Sequence, residues 1–89
     1  MNEKSVLIVN RAGLHARSSA KLVDLATGFS CDIEVGLGEK FVDGKSILAL
    51  MMLAATQGSE LTVRADGDDA VEALDSICAL ISEGFGEEC

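Results

Sequence analysis

The 89 residues leave room for one domain, spanning 1–89, with one core. Nearly half are apolar and a quarter charged, a globular composition and not a disordered one. Fifteen acidic residues against seven basic ones give a net charge of −8, which argues against nucleic acid or an anionic membrane and favours partners with basic docking surfaces.

Met1-Asn2-Glu3-Lys4 lead straight into "KSVLIV" (4–9), read as a strand. A basic stretch followed by a long apolar one is missing there, so no secretory signal is read and the cytosol is the expected compartment. "NRAG" turns the chain, and Gly13 is expected to let another protein approach closely. From Ala16 to about Thr27 the pattern is helical: Ala16, Ala20, Val23 and Ala26, widened by Leu22 and Leu25, form the apolar stripe. Gly28 stands where a helix stop belongs.

Cys31, Ile33, Val35 and Leu37 alternate with Asp32, Glu34 and Gly36, a strand with one buried face. Gly38-Glu39 turns it into "KFVD", giving a hairpin over 31–43. Ser46 is an N-cap for "ILALMMLAA", where Leu, Met and Ala outweigh β-branched residues and favour a short helix. That run, the longest apolar one, is far too short to cross a bilayer. "ELTVRAD" (60–66) alternates as a strand. Asp69 with Glu72 resembles a capping box for a last helix from Ala70 to about Glu83, whose stripe is Ala70, Leu74, Ile77, Cys78 and Ile81. Gly84 and Gly86 are expected to loosen the tail. Cys31, Cys78 and Cys89 are too few and too scattered for a disulfide framework or a zinc site, so two are expected buried as small apolar side chains, with Cys89 at the end. The order β-α-β-β-α-β-α, with strands apolar on one face, describes an α+β layer with an antiparallel sheet.

The single histidine, His15, lies directly before the first helix. The first N–H groups of a helix lack intrahelical partners, and the macrodipole adds positive potential, so the position receives anions such as phosphate. The same field, with Arg17 nearby, disfavours an imidazolium, and a neutral ring offers a lone pair for nucleophilic attack. An attached phosphoryl group would meet N–H donors of residues 16–18 and the Arg17 guanidinium. Taken alone, a lone histidine is more often an ordinary loop residue. It has no companion ligands for a metal and no partners for a hydrolytic triad.

"GLHARSSAKLV", with "DGKSILALMMLAATQGSEL", resembles HPr, the histidine-containing phosphocarrier of the bacterial phosphoenolpyruvate-dependent phosphotransferase system. The likeness covers essentially the whole chain. It implies an open-faced β-sandwich, a four-stranded antiparallel sheet covered on one face by three helices. It also implies that His15 accepts a phosphoryl group on Nδ1 (a pros-phosphohistidine) from enzyme I and passes it to IIA-class acceptors, with Arg17 contacting the phosphate.

The family usually has proline where this chain has Ser18, whose hydroxyl would compete for the phosphoryl oxygens or cap the helix. Phosphorylation is expected to persist with an altered rate or partner preference. "GKSI" is similar to the site of HPr kinase/phosphorylase, which marks Ser46 as regulatory; a phosphate at a helix N-terminus is tolerated and would repel partners. The alternative is a regulatory HPr-like module acting through phospho-Ser46 and docking without relay. Some of Ile47, Leu48, Met51 and Met52 must be exposed, and they are expected to form the docking patch. No cofactor pocket, P-loop or metal set is read, and a monomer that is a relay substrate, without turnover of its own, is expected.

Overall fold

The computed structural model describes residues 2–87; the expectation for Cys89 lies outside them. Strands β1 (Asn2–Leu7), β2 (Asp32–Leu37), β3 (Lys40–Asp43) and β4 (Glu60–Asp66) form one sheet in the order β1-β4-β2-β3, every neighbouring pair antiparallel. Helices α1 (Ala16–Ala26), α2 (Ile47–Leu53) and α3 (Ala70–Ser82) cover one face, so the fold is the expected open-faced α+β sandwich.

Period-two alternation selects the covered face. Ile33, Val35, Leu61, Val63 and Ala65 are buried, while Asp32, Glu34, Glu60 and Asp66 point outward. Leu22 of α1, Leu50 of α2, and Ile77 and Ile81 of α3 close over them with no exposed surface. Each such side chain contributes about 1.5–3 kcal/mol of burial. The α3 stripe is the expected one with Ala73 added. Cys31 and Cys78 are buried, and burial pushes both thiols above their ordinary range.

Other elements depart from the pattern. β1 begins two residues before "KSVLIV" because Asn2 and Glu3 pair with Ala65 and Arg64, and it ends where the antiparallel β4 begins, at the Leu7–Glu60 pair. Ile8 is buried beyond the strand, held by Ser59 O (2.9 Å) and the Gly58 N–H (2.8 Å). In α1 the buried stripe is Ser18, Ser19, Leu22 and Ala26, and Ala16 is exposed. Two hydroxyls thus occupy the first inward turn, a placement that hydrophobic spacing does not register.

Asp69 is at the N-cap position of α3 but makes no side-chain cap bond. Its carboxylate instead accepts the N–H groups of Ser30 (2.8 Å) and Cys31 (3.0 Å), tying the loop before β2 to the start of α3. The Ser30 N–H, foremost among these donors, holds the carboxyl below its usual range.

The segment after α3 is not loose. Gly84–Gly86 forms a short 3-10 turn in which Phe85, at φ +59°, is only 1% exposed. Core burial of the ring offsets a backbone conformation that side-chain-bearing residues rarely adopt. Lys21 Nζ donates to Phe85 O (2.7 Å) and fastens the turn to α1.

Candidate functional site

The turn before α1 is built around a glycine that leaves no room for a side chain. Gly13 has φ +68°, and a Cβ there would stand 2.4 Å from Ala55 O. The close approach it permits is therefore internal, to the 55–56 backbone, and not to another protein as the sequence implied. Leu14 N–H donates to Ala55 O (3.0 Å), fixing the turn to the chain that leaves α2.

His15 is the N-cap of α1, with extended backbone (φ −121°, ψ −173°). The helical ladder begins with Ser19 N–H to His15 O (2.8 Å), leaving the N–H groups of Ala16, Arg17 and Ser18 outside it. One of these, Arg17 N–H, donates to His15 Nδ1 at 3.3 Å. The His15 side chain is 35% exposed, so an incoming group can reach it. The Arg17 side chain is exposed, and its guanidinium makes no ion pair or hydrogen bond among the described residues.

Ser18 is fully buried. Its hydroxyl donates to Gly13 O (2.8 Å) and accepts from His15 N–H (3.0 Å), clasping the turn on both sides of Leu14. Of the two roles expected for this hydroxyl, the geometry provides the helix-terminal one. The oxygen faces the turn backbone, away from any anion received at the exposed ring.

Glu87 was not visible to sequence reasoning. Its Oε2 lies 2.9 Å from His15 Nε2, and its Oε1 accepts from Asn10 Nδ2 at 3.0 Å. Asn10 is wholly buried and also donates to Gly13 O (2.9 Å). The sequence placed only positive potential around the ring; the structure adds a carboxylate at its far nitrogen. No periodicity marks Glu87, and the one available clue was Phe85, an apolar residue between two glycines.

Ser46 caps α2, accepting the Ala49 N–H at 3.2 Å. It does not meet His15: the seven residues of α2, about 10 Å at 1.5 Å rise each, separate Ser46 from the segment that packs on Gly13. Along that helix Ile47, Leu48, Met51 and Met52 are all exposed, Leu48 and Met52 by more than 60%. Leu50 and Leu53 face the core instead.

Chemically, the site offers a reachable imidazole nitrogen, N–H groups outside the ladder and a guanidinium with no partner among the described residues, which together can accept and stabilise a small dianion. A family profile for the phosphotransferase-system HPr component phosphorylation site matches residues 2–83. The chain is 46% identical over 87 residues to a phosphocarrier protein HPr of Cupriavidus necator, covering 98% of each. It superposes on the crystal structure of HPr-C-His from Thermoanaerobacter tengcongensis with a TM-score of 0.95, 42% identity and full coverage of both chains. An HPr dimer structure from the same organism matches with a TM-score of 0.77 at 41% identity, covering 98% of this chain and 100% of that one.

Proposed function

Because this chain belongs to the HPr family of phosphocarriers, we propose that His15 Nδ1 takes a phosphoryl group from phosphorylated enzyme I and yields it to IIA-class acceptors. The lone pair of Nδ1 forms the new P–N bond while the bond to the donor breaks, its electron pair leaving with the donor. Delivery reverses these roles, with the acceptor's nucleophile attacking phosphorus and the pair returning to Nδ1. Such transfer asks for positioning and charge stabilisation and little else. Arg17 N–H, already directed at Nδ1 (3.3 Å), is placed to donate to a phosphoryl oxygen, and the exposed Arg17 guanidinium can fold onto the same group.

The observation that carries the reading is the N-cap imidazole, exposed and with Nδ1 among the helix-terminal amides. Donor and acceptor must use one face in turn. The exposed Ile47, Leu48, Met51 and Met52 supply an apolar, conformationally adaptable surface for that, joined to the turn of His15 through Ala55. A monomer in the cytosol leaves this face open, whether the relay feeds sugar uptake or a nitrogen-regulatory branch. Ser46 is the regulatory position: a phosphate there, set by HPr kinase/phosphorylase, adds charge at the start of the same patch without breaking the fold.

The test is incubation with phosphoenolpyruvate and enzyme I. One acid-labile, base-stable phosphoryl group per chain is expected, absent in His15→Ala; an adduct that survives in that variant, or none in the native chain, refutes the relay. Parallel incubation with ATP and the kinase examines Ser46, where an acid-stable phosphate lost in Ser46→Ala is expected.

A further inference from the structure

We propose that Glu87 is a positioning residue for the phosphoryl carrier: its carboxylate, held by Asn10, keeps the ring proton of His15 on Nε2 and so leaves Nδ1 as the nucleophile. The inference rests on the reading that transfer occurs at Nδ1. Its basis is the hydrogen-bonding capacity of the two groups that flank the ring. Arg17 N–H can only donate, so the nitrogen facing it, Nδ1, must present a lone pair. An ionised carboxylate can only accept, so the nitrogen facing Glu87 must carry hydrogen. Both neighbours select the same tautomer, and the contact at Nε2 is the shorter, 2.9 Å against 3.3 Å.

The carboxylate does not reach the ring by chance of a freely moving side chain. It is 15% exposed. Gly84-Phe85-Gly86 runs through three successive positive φ angles, anchored by the buried Phe85 ring and by Lys21 on Phe85 O. Asn10 fixes the other carboxylate oxygen, and its amide orientation is set by two acceptors, Gly13 O and Glu87 Oε1, which both require Nδ2. In that orientation the buried Asn10 Oδ1 has no partner among the described residues, a cost the fold accepts while both donor contacts are kept. Asn10 thereby joins the glycine turn that precedes His15 to the carboxylate behind its ring.

After transfer to Nδ1 the same contact keeps a function. A ring that has bonded phosphorus through the Nδ1 lone pair and keeps its hydrogen on Nε2 is an imidazolium, and the Glu87 carboxylate meets it with a counter-charge. Glu87 touches neither phosphorus nor the donor, so it acts through His15.

The decisive variant is Glu87→Gln. The new amide can still accept from Asn10 through its oxygen, which then turns its NH2 toward His15 Nε2. A donor at that point requires Nε2 to give up its hydrogen, moving it to Nδ1 and masking the nucleophile. Glu87→Ala removes the acceptor without supplying a donor.

The readouts are the ring-nitrogen signals of uniformly 15N-labelled protein, without phosphate, and the initial rate of phosphoryl acceptance from enzyme I, both compared with thermal melts. The native ring is expected to carry hydrogen on Nε2. In Glu87→Gln the Nδ1-protonated form should gain about tenfold in population ratio and acceptance should fall by a similar factor, on the scale of one charge-assisted hydrogen bond. Glu87→Ala should fall between the two.

A role in packing alone makes the isosteric glutamine a rescue and alanine the damaging change, which would overturn the proposal. So would a native ring with hydrogen on Nδ1, or ring signals in Glu87→Gln identical to native. Because the ring signals are read without enzyme I, they judge the tautomer even if the native chain takes no phosphoryl group, and that last result would sink the relay reading instead.

Discussion

Ser18→Ala isolates what the hydroxyl beneath the His15 turn contributes. Removing Oγ leaves His15 N–H without its acceptor at 3.0 Å and takes one of two donors from Gly13 O, which keeps Asn10 Nδ2 at 2.9 Å. The first loss dominates, since it strips a partner from a donor beside a side chain that is itself fully buried. Helix-terminal caps of this kind are worth about 1 kcal/mol, and an unpaired, partly buried N–H costs about 1–3 kcal/mol. The void is a single oxygen and adds little, so the total should be about 1–2 kcal/mol. In a domain of this size that lowers Tm by roughly 4–16 °C.

Circular dichroism melts and urea titrations at neutral pH measure it. The released turn should also slow phosphoryl acceptance, because the same bond holds the extended backbone of His15. Ser18→Pro, which installs the residue usual in the family, loses both hydroxyl bonds as well and should differ from the native chain in rate. A Tm within about 1 °C of native for Ser18→Ala would refute the clasp as a source of stability.

Gly13→Ala places a Cβ 2.4 Å from Ala55 O and 2.9 Å from Thr56 Cα at φ +68°, so a loss of at least about 2 kcal/mol is expected in urea titration, with acceptance lost alongside. Leu48→Asp and Met51→Asp alter exposed side chains, so melts should stay near native while transfer from enzyme I falls at least about tenfold; unchanged transfer removes α2 from the docking surface. Asp69, held below its ordinary 3.8, adds stability that is fully present above that value and is lost as pH falls through its lower folded-state value. Asp69→Asn should therefore differ from native more at pH 7 than in acid, and a pH-independent difference in urea titrations would contradict the assignment.

How much of this was legible in the sequence depends on which physical signal carried each element. The hairpin of β2 and β3, β4 and the stripe of α3 are written in apolar periodicity, because their buried positions are filled by apolar residues. The stripe of α1 is not, since Ser18 and Ser19 take inward positions; for Ser18 the compensation is hydrogen bonding to a turn that exists only once Gly13 is packed on Ala55. Asp69 was assigned to the wrong end of its interactions for a similar reason. Its local spacing to Glu72 mimics a capping box, but the N–H groups of Ser30 and Cys31, 38 and 39 residues away, are the donors it meets. Glu87 lies 72 residues from the ring it contacts, and nothing in its neighbourhood announces a carboxylate turned inward. The place of His15 at the start of α1, by contrast, is legible in the sequence, because the helical pattern begins directly after it.

Under the proposed function, one small surface must keep its chemistry constant while its partners change, and these long-range contacts suit that demand. On the proposed mechanism, what phosphorus meets comes from α1 and what the partner protein meets comes from α2. The two are joined by backbone, through Leu14 N–H on Ala55 O and Gly13 packed beneath it, and not by the exposed side chains that contact partners. Leu48 and Met52 can therefore repack against successive surfaces while Leu50 and Leu53 keep α2 seated in the core. The imidazole is held at Nε2 by Glu87, itself held by Asn10, while Ser18 fixes the His15 backbone. On the proposed mechanism adaptability is thus confined to side chains on the surface of α2, and the hydrogen bonds that set the geometry of Nδ1 involve none of those side chains.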